Sequence, residues 1–290
     1  MFRGAITALV TPFKNGQVDE EALRNLIEFQ IANGVDGLVP CGTTGESPTL
    51  SHDEHDRVIE RTIDAAKKRV PVIAGTGSNS TAEALRLTRH AYEAGADGAL
   101  IACPYYNKPT QEGLYQHFEL IAKNVPIPII PYNIPGRTGI NMSPELIARL
   151  AKISNIVGIK EASGSIKQMS DVINLCGKDF AVLSGDDIFT LPLMAIGGAG
   201  VISVVSNVAP ADMAGLVDVF FAGDMARAKE LHYKMSALMD ALFIEVNPIP
   251  VKAALALMGK IEYEYRLPLC KMDEANFEKL KKVMINYGLI

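Results

Sequence analysis

The chain has little of what marks several large protein classes. No Lys/Arg-rich stripe runs through its 290 residues, and 28 Lys and Arg against 33 Asp and Glu leave a formal net charge of −5. Cationic side chains supply most of the affinity for a phosphate backbone, so no nucleic-acid partner is expected. No apolar run approaches the ~18 residues that read as a membrane-crossing helix, so no membrane partner is expected either. The stretch from Ala5 to Pro12 is too short for a secretory leader, and its Thr7 and Thr11 suit a strand better. The cysteines (Cys41, Cys103, Cys176 and Cys270) lie far apart with no C-x-x-C pair. They read as small buried hydrophobes in a reducing compartment, and a cytoplasmic location is expected. A Walker sequence is absent. The nearest approach to G-x-G-x-x-G, Gly75-Thr76-Gly77-Ser78-Asn79-Ser80, lacks its third glycine and follows the third apolar run. That counts against a doubly wound dinucleotide-binding fold, the runner-up architecture.

What is present is an ordinary globular composition, 48% hydrophobic and 21% charged, in a regular order. Length alone suggests two domains, yet α/β barrels run to about 250 residues as one unit. Short Val- and Ile-rich runs alternate with amphipathic segments: Ala5–Val10, Gly37–Cys41, Pro71–Gly75, Ala99–Cys103, Ile127–Tyr132, Ile156–Lys160, Ala181–Ser184 and Val201–Val205. Near-continuous hydrophobicity is the mark of parallel strands covered on both faces. Ser51 to Glu54 and Ser80 to Glu83 have the S-x-x-E form of a capping box, and Ser143-Pro144 offers an N-cap followed by proline. Gly34, Gly95, Gly177 and Gly197 fall where helices need a left-handed residue. The expected fold is a (β/α)8 TIM barrel over residues 1–223, then an α-helical extension over 224–290 with helices near Asp224–Phe243, Pro248–Met258 and Asp273–Asn286.

In such a barrel the chemistry sits at the C-terminal ends of the strands. Hydroxyls and glycines dominate there, and histidine is absent. Lys160 is the outlier, closing the run Ile156-Val157-Gly158-Ile159. Burial lowers a lysine's pKa from ~10.4 toward the ~7–8 of a usable amine nucleophile. The alternative is a lysine paired with Glu161 or snorkelling to the rim. Tyr132 ends the preceding strand and can exchange a proton, and Thr43 can connect it to a second phenol such as Tyr106. Gly42-Thr43-Thr44-Gly45 offers backbone N–H groups and two hydroxyls to a small carboxylate, and Arg137 offers a planar fork to another. His52 and His55 match no zinc motif and read as an exposed first helical turn, so no metal is expected.

Three stretches, Gly42-Thr43-Thr44-Gly45-Glu46-Ser47, Tyr132-Asn133-Ile134-Pro135-Gly136-Arg137-Thr138-Gly139 and Gly158-Ile159-Lys160-Glu161-Ala162-Ser163, closely resemble the signatures of the dihydrodipicolinate synthase family. This family belongs to the N-acetylneuraminate lyase superfamily of class I aldolases, and the likeness spans essentially the whole chain. The resemblance implies a condensation of pyruvate with L-aspartate 4-semialdehyde to 4-hydroxy-tetrahydrodipicolinate, the first committed step toward diaminopimelate and lysine. It implies pyruvate held as an imine on Lys160 with no cofactor, and a proton relay of Tyr132, Thr43 and Tyr106, the last from a neighbouring subunit. Thr43 and Thr44 would seat the pyruvate carboxylate, Arg137 that of the semialdehyde, with the main chain near Gly185 and Ile202 lining the pocket. A homotetramer built as a dimer of dimers is implied, as is inhibition by L-lysine through Ser47, Pro48, His52, His55, Asn79, Glu83 and Tyr105. Pro48 stands where alanine is frequent. The alternatives are a sialic-acid or 2-keto-3-deoxy sugar acid lyase of the same superfamily, or a non-catalytic small-molecule-binding protein.

Overall fold

The computed structural model describes residues 2–290. Each apolar run becomes a parallel strand: β1 (Gly4–Ala8), β2 (Gly37–Val39), β3 (Ile73–Gly75), β4 (Gly98–Ala102), β5 (Ile129–Asn133), β6 (Gly158–Glu161), β7 (Ala181–Ser184) and β8 (Gly200–Ser203). Spatial order follows chain order, with β8 returning to pair with β1 through Gly4↔Gly200 and Ile6↔Ile202. The remaining seam is closed by a parallel bridge, Leu38↔Val72, and by the Gly75 amide donating to the Pro40 carbonyl at 2.9 Å. The doubly wound alternative is thereby excluded: the sheet has closed on itself. Ile6, Val39, Ile73, Leu100, Ile130, Leu183 and Ile202 fill the barrel interior. The alternate residues pack outward on the helices, which is why the strands read as continuous apolar runs.

The helices are α1 (Glu20–Ala32), α2 (His52–Ala66), α3 (Thr81–Glu93), α4 (Gln111–Asn124), the one-turn α5 (Pro135–Thr138), α6 (Pro144–Leu150), α7 (Ile166–Cys176), α8 (Thr190–Ala195), α9 (Pro210–Phe221), α10 (Met225–Ala241), α11 (Ile249–Leu257) and α12 (Glu274–Tyr287). A reciprocal capping box starts α2: Ser51 Oγ accepts from the Glu54 amide, and the Glu54 carboxylate accepts from the Ser51 amide at 2.9 Å. The expected second box does not form. Ser80 caps α3 without a side-chain hydrogen bond, because the Glu83 carboxylate accepts from Ser78 Oγ and contacts His52 instead. Gly34, Gly95, Gly177 and Gly197 all have positive φ, between +77° and +109°.

The last three helices lie within two residues of their expected bounds. They continue the barrel's own packing: Leu280 and Met284 of α12 and Val251 and Leu255 of α11 join one apolar cluster with Ala5, Val201 and Met213. Cys41 and Cys103 are buried, as small hydrophobes should be, but Cys176 is half-buried and Cys270 is exposed. Cys270 lies in the irregular stretch between α11 and α12, where no apolar layer covers it. Among the described residues no helix is long and apolar enough to cross a membrane.

Candidate active site

Strand alternation decides which way Lys160 faces. Successive side chains on β6 point to opposite faces, so Lys160 and Glu161 cannot share one. Glu161 faces the helical layer, where its carboxylate accepts from Asn133 Nδ2 at 3.0 Å, Gln168 Nε2 at 3.2 Å and the Ser163 amide at 2.7 Å. Lys160 faces inward beside its register partner Tyr132, with Nζ 4.3 Å from the centre of the phenol ring. It is 5% exposed and forms no ion pair among the described residues. Neither pairing with Glu161 nor snorkelling therefore occurs. Burial pushes its pKa down to about 8; Asp187 and Asp186 oppose that shift, and Arg137 adds to it.

Asp187 is near enough to influence the amine, yet its carboxylate is already satisfied. It accepts from Ser203 Oγ at 2.5 Å and from the amides of Val204 and Val205 at 3.0 and 3.1 Å. Burial still pushes this acid up to about 6. Gly185 lies against the lysine: a Cβ there would sit 2.7 Å from Ala162 Cβ and 3.2 Å from Lys160 Cε. Tyr132 is buried, and burial raises its hydroxyl pKa, so it stays a neutral phenol able to donate and accept. Ile202 packs in the interior cluster that contains Tyr132.

The loop after β2 supplies donors. Cys41 and Glu46, at its two ends, have left-handed φ of +54° and +53°. Between them the Gly45 and Glu46 amides turn back onto the carbonyls of Gly42 and Thr43, while the amides of Thr43 and Thr44 donate to no protein group among the described residues. Gly75 makes this approach possible, since a Cβ there would lie 2.3 Å from the Cys41 carbonyl oxygen. Thr44 Oγ1 accepts from Asn247 Nδ2 at 2.9 Å, which leaves the threonine's own proton free to donate. The Asn247 carbonyl in turn accepts from Arg137 Nη2 at 2.8 Å. One residue of the extension thus ties together the two sites read as carboxylate seats. Tyr106 is not brought to them within the chain: it is 90% exposed with φ +71°.

The dihydrodipicolinate synthetase family profile matches residues 1–286. The 4-hydroxy-tetrahydrodipicolinate synthase of Syntrophus aciditrophicus is 74% identical over the full length of both chains. The chain belongs to the dihydrodipicolinate synthetase family. Among solved structures, the chloride-inhibited dihydrodipicolinate synthase of Acinetobacter baumannii, complexed with pyruvate, is 48% identical, covers 100% of both chains and superposes with a TM-score of 0.98. The enzyme of Cyanidioschyzon merolae with lysine bound is 42% identical, covers 100% of this chain and 99% of the other, and has a TM-score of 0.97.

In this family member one cavity of about 470 Å³ is lined both by Thr43, Tyr132 and Arg137 and by Ser47, Pro48, His52, His55, Glu83 and Tyr105. Lys160 does not line it directly; Tyr132, against whose ring it packs, does. His55 departs from the expected exposed turn. It is 3% exposed, and Nε2 meets the Gly75 carbonyl at 2.9 Å, because the first turn of α2 lies against the barrel rim. Hydrogen bonds from Ser78 and then His52 hold the Glu83 carboxyl below the usual range, so the cavity wall carries an anion. Asn79 does not line the cavity; its carbonyl accepts from Asn107 Nδ2 at 2.9 Å. No cluster able to hold a metal exists among the described residues. Four residues carried no role in the sequence reading: Asp187, Asn247, Glu46 and Lys252. Asp187 had a local signal, an acid at a strand end. The other three act through partners more than 200 positions away, which no local pattern reveals.

Proposed function

We propose that the chain condenses pyruvate with L-aspartate 4-semialdehyde through an imine on Lys160, giving 4-hydroxy-tetrahydrodipicolinate. The observation that carries this reading is a buried, unpaired lysine with a pKa of about 8 packed on a buried tyrosine. The neutral amine adds to the C2 carbonyl of pyruvate. A proton passed by Tyr132 to the carbinolamine hydroxyl lets water leave. Loss of a methyl proton gives the enamine, with the protonated imine as electron sink, so the chemistry asks for neither metal nor organic cofactor. The enamine carbon attacks the aldehyde carbon of the second substrate. That substrate's amino group then adds to the imine carbon, the ring closes, and Lys160 leaves as the free amine.

The placement of charge suits both substrates. The unpaired amides of Thr43 and Thr44 and the Thr44 hydroxyl seat the pyruvate carboxylate, and Arg137, braced by the Asn247 carbonyl, takes that of the semialdehyde. Gly185 and Ile202 shape the wall beside Lys160. Exposed Tyr106 completes the Tyr132–Thr43 relay of a second copy, which makes the dimer, paired again into a tetramer, the working unit. The free cysteines suit a reducing cytoplasm. L-lysine is the inhibitor: its ammonium group faces Glu83 and His52, beside Ser47, His55 and Tyr105, in a cavity shared with Tyr132.

The test is turnover of pyruvate with aspartate semialdehyde, coupled to a reductase that consumes the product. Turnover with N-acetylmannosamine or glyceraldehyde in its place would overturn the substrate assignment. A flat activity curve up to millimolar L-lysine would remove the regulatory part alone.

A further inference from the structure

The seat for the first substrate is held from behind by the helical extension. Lys252, on α11, is fully buried, and its Nζ is bonded to the equally buried carboxylate of Glu46, 206 residues away in sequence. The other oxygen of Glu46 accepts from the Arg266 amide at 3.3 Å. Aromatic rings enclose the cation: Phe13 at 4.2 Å and Tyr265 at 5.1 Å from Nζ to the ring centres. Glu46 also closes the Gly42–Glu46 loop in a left-handed conformation that a residue with a Cβ keeps only when its surroundings enforce it. The Arg266 guanidinium extends the hold to α2, forking onto Glu54 at 2.6 and 2.7 Å and donating to the Thr49 carbonyl at 2.9 Å.

We propose that Lys252 and Glu46 form a positioning pair that sets the geometry of the Thr43–Thr44 seat, and hence the affinity for the α-keto acid that forms the imine. Neither residue touches substrate. The pair acts through the backbone between Thr43 and Glu46, where the Glu46 amide donates to the Thr43 carbonyl at 3.2 Å. Its effect falls mainly on the first substrate, because Arg137 is bonded to the Asn247 carbonyl and reaches the loop only at one remove, through the Asn247 side chain on Thr44 Oγ1. The inference rests on the reading of Thr43 and Thr44 as the pyruvate seat. It assigns to the extension a role in catalysis besides packing.

Two variants separate positioning from stability. Lys252→Met strands a carboxylate in the interior; Lys252→Met combined with Glu46→Gln removes both charges, a change that buried pairs often tolerate. Borohydride trapping against pyruvate concentration gives a half-saturation point that does not depend on how much of the sample is folded. The wild-type protein must first trap pyruvate; if it does not, the reading of function fails and not this one. With that established, both variants are expected to raise the pyruvate half-saturation by about ten- to a hundredfold, the scale of a misplaced positioning group, while the double variant regains most of the lost melting temperature and the semialdehyde KM moves less than about threefold. Wild-type half-saturation in the double variant, or an equal rise in both substrates' KM, overturns the proposal.

Discussion

Among the described residues two lysines are buried, and they have opposite fates. Lys252 arrives on a helix of the extension and meets a carboxylate, an amide-anchored loop and two aromatic rings; its charge is matched. Lys160 arrives on a barrel strand and meets a phenol ring, a glycine and an aspartate whose oxygens are already occupied. Burial lowers the pKa of both, but only Lys252 gains an ion pair in return. Burial alone does not single out a nucleophile; burial without a partner is what sets Lys160 apart as the candidate. The neighbouring Glu161 shows how narrowly this is arranged, since one step along the strand turns its carboxylate to the far face.

Removing each amine in turn should separate the two lysines most clearly. Lys160→Met should lower turnover by about 10³-fold or more, as losses of covalent nucleophiles do, yet raise or leave unchanged the melting temperature. A large fall in melting temperature would show that Lys160 is paired after all. Lys252→Met should do the reverse on the stability axis, lowering it by about 3–5 kcal/mol in denaturant titration because Glu46 is left buried without its counter-charge. Tyr132→Phe tests the ring against the hydroxyl: the packing on Lys160 survives, and kcat should fall by about 10²–10⁴ with little change in pyruvate KM.

Titration sharpens the contrast further. If Lys160 is the nucleophile, only its neutral amine reacts, so the pyruvate trapping rate should rise about tenfold per pH unit below pH 8 and level off above it. The native pKa of about 8 lies below the unfolded value of ~10.4, so between them the unfolded chain binds more protons and Lys160's contribution to stability rises with pH. Lys160→Met should remove that component of the pH–stability curve; an unchanged curve would contradict the assignment. The smallest effect is expected at the far side of the cavity, where Glu83→Gln should weaken L-lysine inhibition by about five- to tenfold, the loss of one charge-assisted contact.

The fold was largely legible because parallel strands buried on both faces write themselves as uninterrupted apolar runs, and all eight lie within about two residues of where those runs placed them. The inward placement of Lys160 beside Tyr132 was legible for a related reason, since a polar residue ending an apolar strand in a barrel has few places to go; the roles given to them and to the Thr43–Thr44 loop came from the family resemblance. The capping pattern at Ser80 misled because Glu83 had better partners, Ser78 and His52, than its own helix terminus. His55 was misread because its position in a first turn says nothing about what that turn packs against. The Lys252–Glu46 pair and the Asn247 link were out of reach altogether, for they join the extension to the barrel across more than 200 residues.

On the reading proposed above, the unpaired buried lysine, and not its paired counterpart, is the nucleophile. Incubating the protein with pyruvate, reducing with borohydride and mapping the modified peptide tests it most directly. A single adduct on Lys160, with Lys252 untouched, is the predicted result; no adduct, or one on any other lysine, would contradict the account.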